Sequence, residues 1–433
     1  MKFYDVLHGQ FDLGIGDNQE LIQDLLDCPE LQRLRHMRQM NFDVPYIQEL
    51  GTSKRLPHSI GVAYLAEKLG SQNSISSTDK KALIVAALLH DAAIPPYGHL
   101  VEYYLKKQNI EFNHESILEA LIQGNYHIGN INHQILPGTS LKVAEKLVKH
   151  NVEQETVLDI VKPKGNKQSA ISADIDLDNI DNVHRMAILL GFNGVKKNVR
   201  DLLSATIIDT DLSLKFHSSA MNKIRKWQDY RQRIYTLIIS NPLCVAHNAF
   251  QSKVAKEAIR KGIITSKNWF ITETEFEENI RNDTALESLG GQLLSGTNYR
   301  LVDYIWFKST GNVPIDDWSN IDEILEPLLP ELDNNYEYFF WVEKKLVSRA
   351  VNFNTVDGET TKLGKDSVSI FISKVHTNSE STGWKPAPKI DQDLWRKSVE
   401  QTVSSILDSW DYTTTYPEKF DGSYFQSSQL ELY

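Results

Sequence analysis

The sequence predicts a mainly α-helical protein that ends in a smaller part of mixed α/β structure. Apolar residues recur at helical spacing from the start of the chain to about residue 330. Beyond that point Ser367–Val375 alternates apolar and polar residues, which is typical of a half-buried strand. The chain has 433 residues, which is too long for one average domain. We therefore expect a helical core over residues 1–330 and a small α/β subdomain over residues 331–433.

The clearest helix of the core is Lys80–Asp91, which follows the capping residue Thr78. Its interior, Ala82–Leu89, is apolar on every side, and a helix without a polar face belongs inside a protein. The pair His90-Asp91 at its end is therefore placed at the edge of a core. The remaining predicted helices begin at Pro29 and at Pro57 or lie over Leu141–His150, Asp178–Leu190, Asn222–Ile239, Val254–Lys261, Glu273–Asn282 and Leu286–Leu294.

The C-terminal subdomain is predicted from short strands and one helix. Tyr338–Val342 and Leu346–Val351 are candidate partners of the strand Ser367–Val375. An amphipathic helix is expected around Leu394–Leu407. The polar stretch from Asp411 to Tyr433 is expected to be a loose or partner-docked tail.

The composition excludes several classes of protein. There are 46 basic and 57 acidic residues, and the net charge of −11 argues against a protein that coats nucleic acid generally. Two cysteines exclude a disulfide framework and a Cys-rich zinc site. The run Ala82–Leu89 is far shorter than the ~20 residues that a bilayer requires, and Asp5 and His8 interrupt the first residues. We expect a soluble cytoplasmic protein without a membrane or secretory segment.

Four residues suggest a metal centre, namely His58, His90, Asp91 and Asp178. Two imidazoles and two carboxylates suit a divalent ion such as Mn²⁺, Fe²⁺ or Zn²⁺. A lone histidine is more often a core or surface residue with ordinary hydrogen bonds than a metal ligand. The pair His90-Asp91 is harder to explain in that way, because an unpaired charge at the end of a buried helix is costly.

A second signal lies in the helix that contains Asp178. Asp178, Asp181, Asn182 and Arg185 occupy positions i, i+3, i+4 and i+7 and so share one face. A polar helix face of this kind often only contacts solvent and binds nothing. Its density of carboxylates also suits a cation, with Asp174, Asp176 and Asp181 as the alternatives should Asp178 not be the ligand.

Blocks of residues near the start of the chain resemble a known family. The blocks are Asp5-Val-Leu-His-Gly, the run from Asp27 to Arg35, Arg55-Leu-Pro-His-Ser-Ile-Gly-Val-Ala, and His90-Asp91. They are similar to those of the HD-domain deoxynucleoside triphosphate triphosphohydrolases, which include vertebrate enzymes that also carry a SAM domain and bacterial dGTPases. The resemblance covers most of the chain and is strongest over residues 1–190. It implies an HD-domain helical bundle, without a SAM domain, that releases a deoxynucleoside and triphosphate by attack at the α-phosphorus.

The resemblance also implies roles for individual residues. It implies one divalent ion (Mn, Fe, Mg, Zn or Co) and a homo-oligomer, a tetramer or larger, with an activating purine nucleotide between its subunits. The implied metal ligands are His58, His90, Asp91 and Asp178, the catalytic residues His99, Glu102 and His114, the substrate-binding residues Arg55 and Gln39, and the activator-binding residues Asp27, Gln32 and Arg35.

The chain departs from the family at several positions. Ile94 replaces a histidine that lies near the phosphates in the family, and Asn179, Asn182 and Met186 replace residues that contact the triphosphate and sugar. Two alternatives therefore stay open. The first is a phosphodiesterase or nuclease acting on an oligonucleotide or a cyclic nucleotide, with basic stretches at 162–167 and 196–200. The second is a nucleotide sensor with little turnover. Asp27, Gln32 and Arg35 also suit a helix cap and two solvated side chains.

Overall fold

The structure is a computed structural model, and its helices confirm a mainly α protein with a sheet-containing C-terminal region. The expected tail is described only as far as residue 420, and this part is not loose, because Thr413–Thr415 pairs antiparallel with residues 306–308. Residue 166 of the basic stretch 162–167 lies outside the described residues. The described residues are 1–14, 16, 18–41, 44–73, 75–108, 112–125, 140–165, 167–296, 299–309, 320–379 and 383–420.

Helices make up most of the described chain as far as residue 295. In chain order the α-helices are α1 Asn18–Leu26, α2 Pro29–Gln32, α3 Gln48–Thr52, α4 Arg55–Gln72, α5 Ser77–Leu89, α6 His99–Lys107, α7 His114–Gln123, α8 Val143–Lys149, α9 Gln154–Val161, α10 Leu177–Leu189, α11 Val195–Leu203, α12 Met221–Ser240, α13 Pro242–Arg260, α14 Glu273–Asn282, α15 Glu287–Ser295, α16 Ile321–Leu325 and α17 Lys389–Ile406.

Each predicted helix has a counterpart, and most ends differ by a few residues. Two predictions are corrected: the helix from Pro29 has only four residues and is followed by a 3-10 helix, Arg33–His36, and the helix predicted over Val254–Lys261 begins twelve residues earlier, at Pro242. Helix α14 has the predicted bounds, and α4 begins at Arg55, two residues before Pro57. The prediction for α5 is confirmed, because every residue of Ala82–Leu89 is at most 1% exposed. The predicted cap is wrong: Thr78 lies inside α5, and the side chain of Ser76 caps the helix by accepting a hydrogen bond from the backbone N–H of Asp79. None of the described helices combines the length and the apolar character that a bilayer span requires.

The strands form three sheets. In the described part of the chain they are β1 Lys2–Asp5, β2 Gly9–Asp12, β3 Thr206–Ile208, β4 Leu214–Phe216, β5 Arg300–Ser309, β6 Tyr336–Lys344, β7 Val351–Thr355, β8 Thr360–Leu363, β9 Val368–His376, β10 Gly383–Trp384 and β11 Thr413–Thr415. Strands β1 and β2 form a hairpin, the second sheet has the order β3-β4-β7-β8, and the third has the order β10-β5-β9-β6 with β11 also paired to β5.

The strands correct the expectation that helical structure continues to residue 330. Strand β5 lies before that point and pairs antiparallel with β9 along most of its length. Strand β4 also lies before it and pairs parallel with β7. Two sheets therefore take strands from both sides of residue 330, and the division into domains 1–330 and 331–433 stays a prediction.

Of the two predicted partner strands of β9, one is confirmed and the other is wrong. Tyr338–Val342 lies inside β6, which pairs antiparallel with β9 as expected. Leu346–Val351 does not form a strand next to it. The chain turns at Lys345, which has a positive φ of 65°, and the Glu343 side chain accepts a hydrogen bond from the backbone N–H of Leu346. The following strand, β7, therefore enters a different sheet.

Two apolar cores hold these elements together. The larger core runs from the N-terminal hairpin through α5 and the long helices to β9. The smaller core packs α17 against the third sheet through residues such as Trp395, Val399 and Ile370. Helices α4, α5 and α10 pack together in the larger core, with α4 in contact with both of the others. Their polar side chains form the site described next.

Candidate metal centre and active site

Three side chains from three helices converge on one point. His58 lies in the first turns of α4, His90 immediately follows α5, and Asp178 lies in the first turn of α10. The Nε2 atom of His58 is 2.9 Å from Oδ1 of Asp178 and 3.3 Å from Nε2 of His90. Nε2 of His90 lies 3.6 Å from the same Asp178 oxygen. The three ligand atoms lie within 4.8 Å of one another, which suits a single divalent ion.

Asp91, the fourth predicted ligand, lies at the edge of this group. Its Oδ2 atom is 3.8 Å from Nε2 of His90. The same oxygen accepts a hydrogen bond of 2.7 Å from Nη1 of Arg55, and both side chains are largely buried. The structure therefore brings His58, His90 and Asp178 into one group and holds Asp91 beside it through Arg55.

Both histidines present Nε2 to the centre because Nδ1 is engaged elsewhere. Nδ1 of His90 lies 2.8 Å from the backbone oxygen of Ala87. Nδ1 of His58 lies 2.7 Å from Oδ1 of Asp181. A carbonyl or an ionised carboxylate only accepts hydrogen bonds, so each Nδ1 carries the proton and each Nε2 is the atom available to a metal.

The charges of the group are strongly coupled. Burial lowers the pKa of His90, but Asp91 and Asp178 outweigh it and raise that pKa to about 9. Burial also lowers the pKa of His58, but the facing carboxylates of Asp178 and Asp181 outweigh it, so that pKa is raised as well. Burial raises the pKa of Asp178, yet the neighbouring imidazoles of His58 and His90 hold it well below its usual range. The carboxylate is therefore ionised and suited to a cation.

A second group combines His99, Glu102 and His114, which the resemblance assigns to catalysis. Oε2 of Glu102 is 3.1 Å from Nδ1 of His99, and Oε1 is 2.9 Å from Nδ1 of His114. Lys106 lies 2.7 Å from the same carboxylate. Burial raises the pKa of Glu102, but the hydrogen bonds from His114, His99 and Lys106 hold it well below its usual range. The side chain of His99 is 72% exposed, so its Nε2 side is open to an incoming ligand.

The guanidinium of Arg55 binds Asp91 of the first group and lies close to Gly98, the residue before His99 of the second group. Helix α6 begins with His99, directly after Gly98. Gly98 has a φ of 56°, and a Cβ atom there would lie 2.7 Å from Nη2 of Arg55. A larger residue would therefore collide with the guanidinium that also holds Asp91.

Gln39 lies beside the helix that carries Asp178. Its Nε2 atom donates a hydrogen bond of 3.3 Å to Oδ1 of Asn182. Its Oε1 atom is buried without a hydrogen-bond partner, as are Nε of Arg55 and Oγ of Ser59. Buried polar atoms are normally paired, so these three atoms are exceptions to the usual pattern.

Ile94 belongs to the apolar core. Its side chain is fully buried, and its backbone oxygen accepts a hydrogen bond of 2.5 Å from Nη2 of Arg33. Arg33 also donates to the backbone oxygens of Ala92 and Ile271. Ile94 therefore offers no group that can exchange a proton with a ligand.

The predicted activator-binding residues lie at the surface. Asp27 and Arg35 are exposed and Gln32 is partly exposed. Arg35 donates a hydrogen bond of 2.8 Å to the side-chain oxygen of Gln32, and Gln32 donates to the backbone oxygen of Leu26. Asp27 accepts from Gln23. Gln32 and Arg35 are thus brought together, while Asp27 interacts with a different neighbour.

The four candidate metal ligands lie within a part of the chain that matches a known domain family. Residues 55–186 match the HD domain family, and this range contains His58, His90, Asp91 and Asp178. These residues therefore form an HD domain, and the chain has a fold similar to that of a solved phosphohydrolase structure.

Individual relatives are similar to the chain at low identity. The uncharacterized protein YwfO of Bacillus subtilis is 23% identical over 245 residues, which cover 55% of this chain and 52% of YwfO. Human deoxynucleoside triphosphate triphosphohydrolase SAMHD1 is 29% identical over 135 residues, which cover 28% of this chain and 21% of SAMHD1. The matches thus span about half, or less, of these relatives. A crystal structure of a phosphohydrolase from Bacteroides thetaiotaomicron has a TM-score of 0.58 at 15% identity and covers 86% of this chain and 99% of its own.

Proposed function

We propose that this chain hydrolyses deoxynucleoside triphosphates to the deoxynucleoside and triphosphate, using one divalent ion held by His58, His90, Asp91 and Asp178. The convergence of His58, His90 and Asp178 within 4.8 Å carries the proposal. The similarity to SAMHD1, a deoxynucleoside triphosphate triphosphohydrolase by name, supports the choice of substrate. A bound divalent ion lowers the pKa of coordinated water and neutralises charge on a phosphoryl group.

Arg55 and Gln39 are proposed to bind the substrate. The guanidinium of Arg55 suits phosphate oxygens, and its Nε atom is buried without a hydrogen-bond partner. Gln39 has a buried, unpaired Oε1 atom that suits a donor on the nucleoside.

His99 is proposed to transfer a proton at the 5′ oxygen that leaves the α-phosphorus. Glu102 holds Nδ1 of His99 at 3.1 Å, so Nδ1 keeps its proton and Nε2 is free to exchange one. His114 shares the Glu102 carboxylate at 2.9 Å, and we propose that it completes the active site.

An analysis of products tests this reaction. The purified chain would be incubated with a panel of dNTPs, NTPs, cyclic nucleotides and short oligonucleotides, each with Mn²⁺, Mg²⁺ or Co²⁺. We expect deoxynucleosides and inorganic triphosphate in equal amounts from the dNTPs. Monophosphate and pyrophosphate as the products would contradict release of an intact triphosphate.

The low-turnover sensor is a second candidate because Ile94 is fully buried in the apolar core. Metal and nucleotide binding without any product in the same panel would identify it.

The nuclease alternative is less favoured because several lysines of the basic stretches are paired with carboxylates. Lys162 pairs with Glu119 and Lys197 pairs with Asp201, at 3.2 and 2.5 Å. Cleavage of an oligonucleotide would overturn this preference.

We also propose that Asp27, Gln32 and Arg35 bind an activating purine nucleotide between subunits of a tetramer or larger assembly. Arg35→Ala should reduce activation by GTP or dGTP without changing metal content, because Arg35 is not a ligand. A nucleotide activates only if it binds the assembled form more tightly than separate chains. Light scattering and initial rates, each with and without added nucleotide, measure both effects.

Arg225→Ala is the matched control for Arg35→Ala. Arg225 is also exposed, and it donates to the side-chain oxygen of Asn222 three residues earlier, as Arg35 does to Gln32. The control should be activated as the wild type is. Equal behaviour of both variants, or a monomer indifferent to added nucleotide, would leave Asp27, Gln32 and Arg35 as a helix cap and solvated side chains.

The cytoplasm is the proposed compartment. Cys28 and Cys244 are both buried as free thiols. Burial raises the pKa of each thiol to about 12, which keeps it protonated and unreactive. Both residues therefore suit a reducing environment.

A further inference from the structure

The imidazole of His58 is held between two carboxylates. Asp178 faces Nε2 at 2.9 Å on the side of the proposed metal, and Asp181 faces Nδ1 at 2.7 Å on the opposite side. Asp181 is fully buried. Because it faces Nδ1 of His58, it does not belong to the ligand group around Nε2, although it shares a helix face with Asp178.

The remaining bonds of Asp181 lead to the N-terminal hairpin. Its Oδ2 atom lies 2.6 Å from Nε2 of His8. Arg185 binds both oxygens of Asp181, through Nε at 2.8 Å and Nη2 at 3.1 Å. The third guanidinium nitrogen, Nη1, donates to Asp5 at 2.6 Å. Asp5 in turn accepts hydrogen bonds from the backbone N–H groups of Leu7 and His8, which fixes the hairpin turn.

Gly61 makes room for this arrangement. It lies one helical turn after His58 in α4, where that helix meets α10. A Cβ atom at this position would be 2.4 Å from Oδ2 of Asp181 and 2.5 Å from Nη2 of Arg185. Neither atom can retreat easily, because each is hydrogen-bonded in a fully buried environment.

We propose that Asp181 is the positioning residue of the metal centre, and that the hairpin β1–β2 belongs to this centre through His8 and Asp5. The proposal rests on the metal site of the proposed function. Asp181 fixes the ring of His58 and its Nδ1–H tautomer, which directs the Nε2 lone pair at the ion and makes it a better donor. At His90, by contrast, the partner of Nδ1 is the neutral carbonyl oxygen of Ala87 and not a carboxylate. The hairpin precedes the matched HD domain by more than forty residues.

Asp181→Asn in the full chain is the first test, with Mn²⁺ alone as the probe. We expect Mn²⁺ affinity to fall about 10- to 100-fold, as is typical when a partner of a metal-bound histidine is changed. The visible absorption bands of the Co²⁺-loaded protein should also shift, because the orientation of His58 changes. Asp303→Asn is the matched control. Asp303 is 2% exposed and pairs with Arg396 through two bonds, at 2.8 and 2.6 Å, in the C-terminal sheet.

The control separates a loss of stability from a loss of positioning. Both variants remove a charge from a buried Asp–Arg pair, so both should lower the melting temperature. Only Asp181→Asn should change Mn²⁺ affinity and the Co²⁺ bands. Wild-type values of both quantities in a folded Asp181→Asn protein would overturn the proposal. Because no substrate is present, this result is independent of whether dNTPs are hydrolysed.

Gly61→Ala and His8→Ala extend the test should Asp181→Asn fail to fold. Gly61→Ala should weaken Mn²⁺ binding by displacing Asp181, and Gly291→Ala is its control because a Cβ atom there meets nothing within 4 Å. His8→Ala should weaken Mn²⁺ binding less than Asp181→Asn, because the contact of Asp181 with His58 remains. Unchanged Mn²⁺ affinity in both folded variants would contradict a role for the hairpin in the metal centre.

Discussion

Asp178→Asn should remove tightly bound metal and lower phosphohydrolase turnover by about 10³-fold or more, since a metal supplies several kcal/mol to the transition state. The carboxylate lies 2.9 Å from Nε2 of His58 and 3.6 Å from Nε2 of His90. An amide keeps the shape of the side chain but not its charge. Elemental analysis of the purified protein and initial rates with added Mn²⁺ measure the two effects.

Asp201→Asn is the control for this prediction. Asp201 pairs with Lys197 and Lys223 at the surface, and neither belongs to the metal centre. The control should keep wild-type metal content and rate. Full metal content in Asp178→Asn would make Asp178 the wrong carboxylate and direct attention to Asp174 and Asp176, since Asp181 faces Nδ1 of His58.

His99→Ala should lower turnover by about 10²- to 10⁴-fold, the usual contribution of a positioned acid–base group. Metal held by His58, His90 and Asp178 should remain bound, because His99 is held by Glu102 and is not part of that group. The side chain is 72% exposed, so its loss should hardly affect the melting temperature. Single-turnover rates at saturating Mn²⁺ isolate the chemical step.

His217→Ala controls for the removal of an exposed imidazole, since His217 is exposed and lies outside both histidine groups. It should retain the wild-type rate. A wild-type rate in His99→Ala as well would exclude His99 from proton transfer and leave His114 as the candidate. Glu102→Gln should then be measured to determine whether the carboxylate acts through His114 instead.

The helices were predictable because their signals are local. The all-apolar interior of α5 is sufficient to predict burial, and the metal group follows from residues at or near helix ends. Strand β5 was missed because nearly all of its side chains are buried on both faces, so the alternation that identifies a strand is absent. Strands β3 and β4 have only three residues each, too few to produce a periodic pattern.

The sequence predicted some residues of the candidate site but not the arrangement of their side chains. The family resemblance identified His58, His90 and Asp178, and the structure brings these three together. The i, i+3 spacing showed that Asp181 shares a face with Asp178, but not that the ring of His58 lies between the two carboxylates. That arrangement depends on the crossing of α4 and α10 at Gly61, a tertiary contact without a local sequence signal.

The second and third sheets limit how the chain can be shortened. A fragment that stops at residue 330 would leave β4 without its neighbour β7 and β5 without β9. It would also lack Arg349, which binds Asp174 at 3.0 Å, four residues before Asp178. Such a fragment would expose fresh strand edges to aggregation and would loosen the segment leading into the metal centre. The C-terminal residues therefore support the segment that leads into the candidate site, and a fragment that preserves this site must extend well beyond residues 55–186.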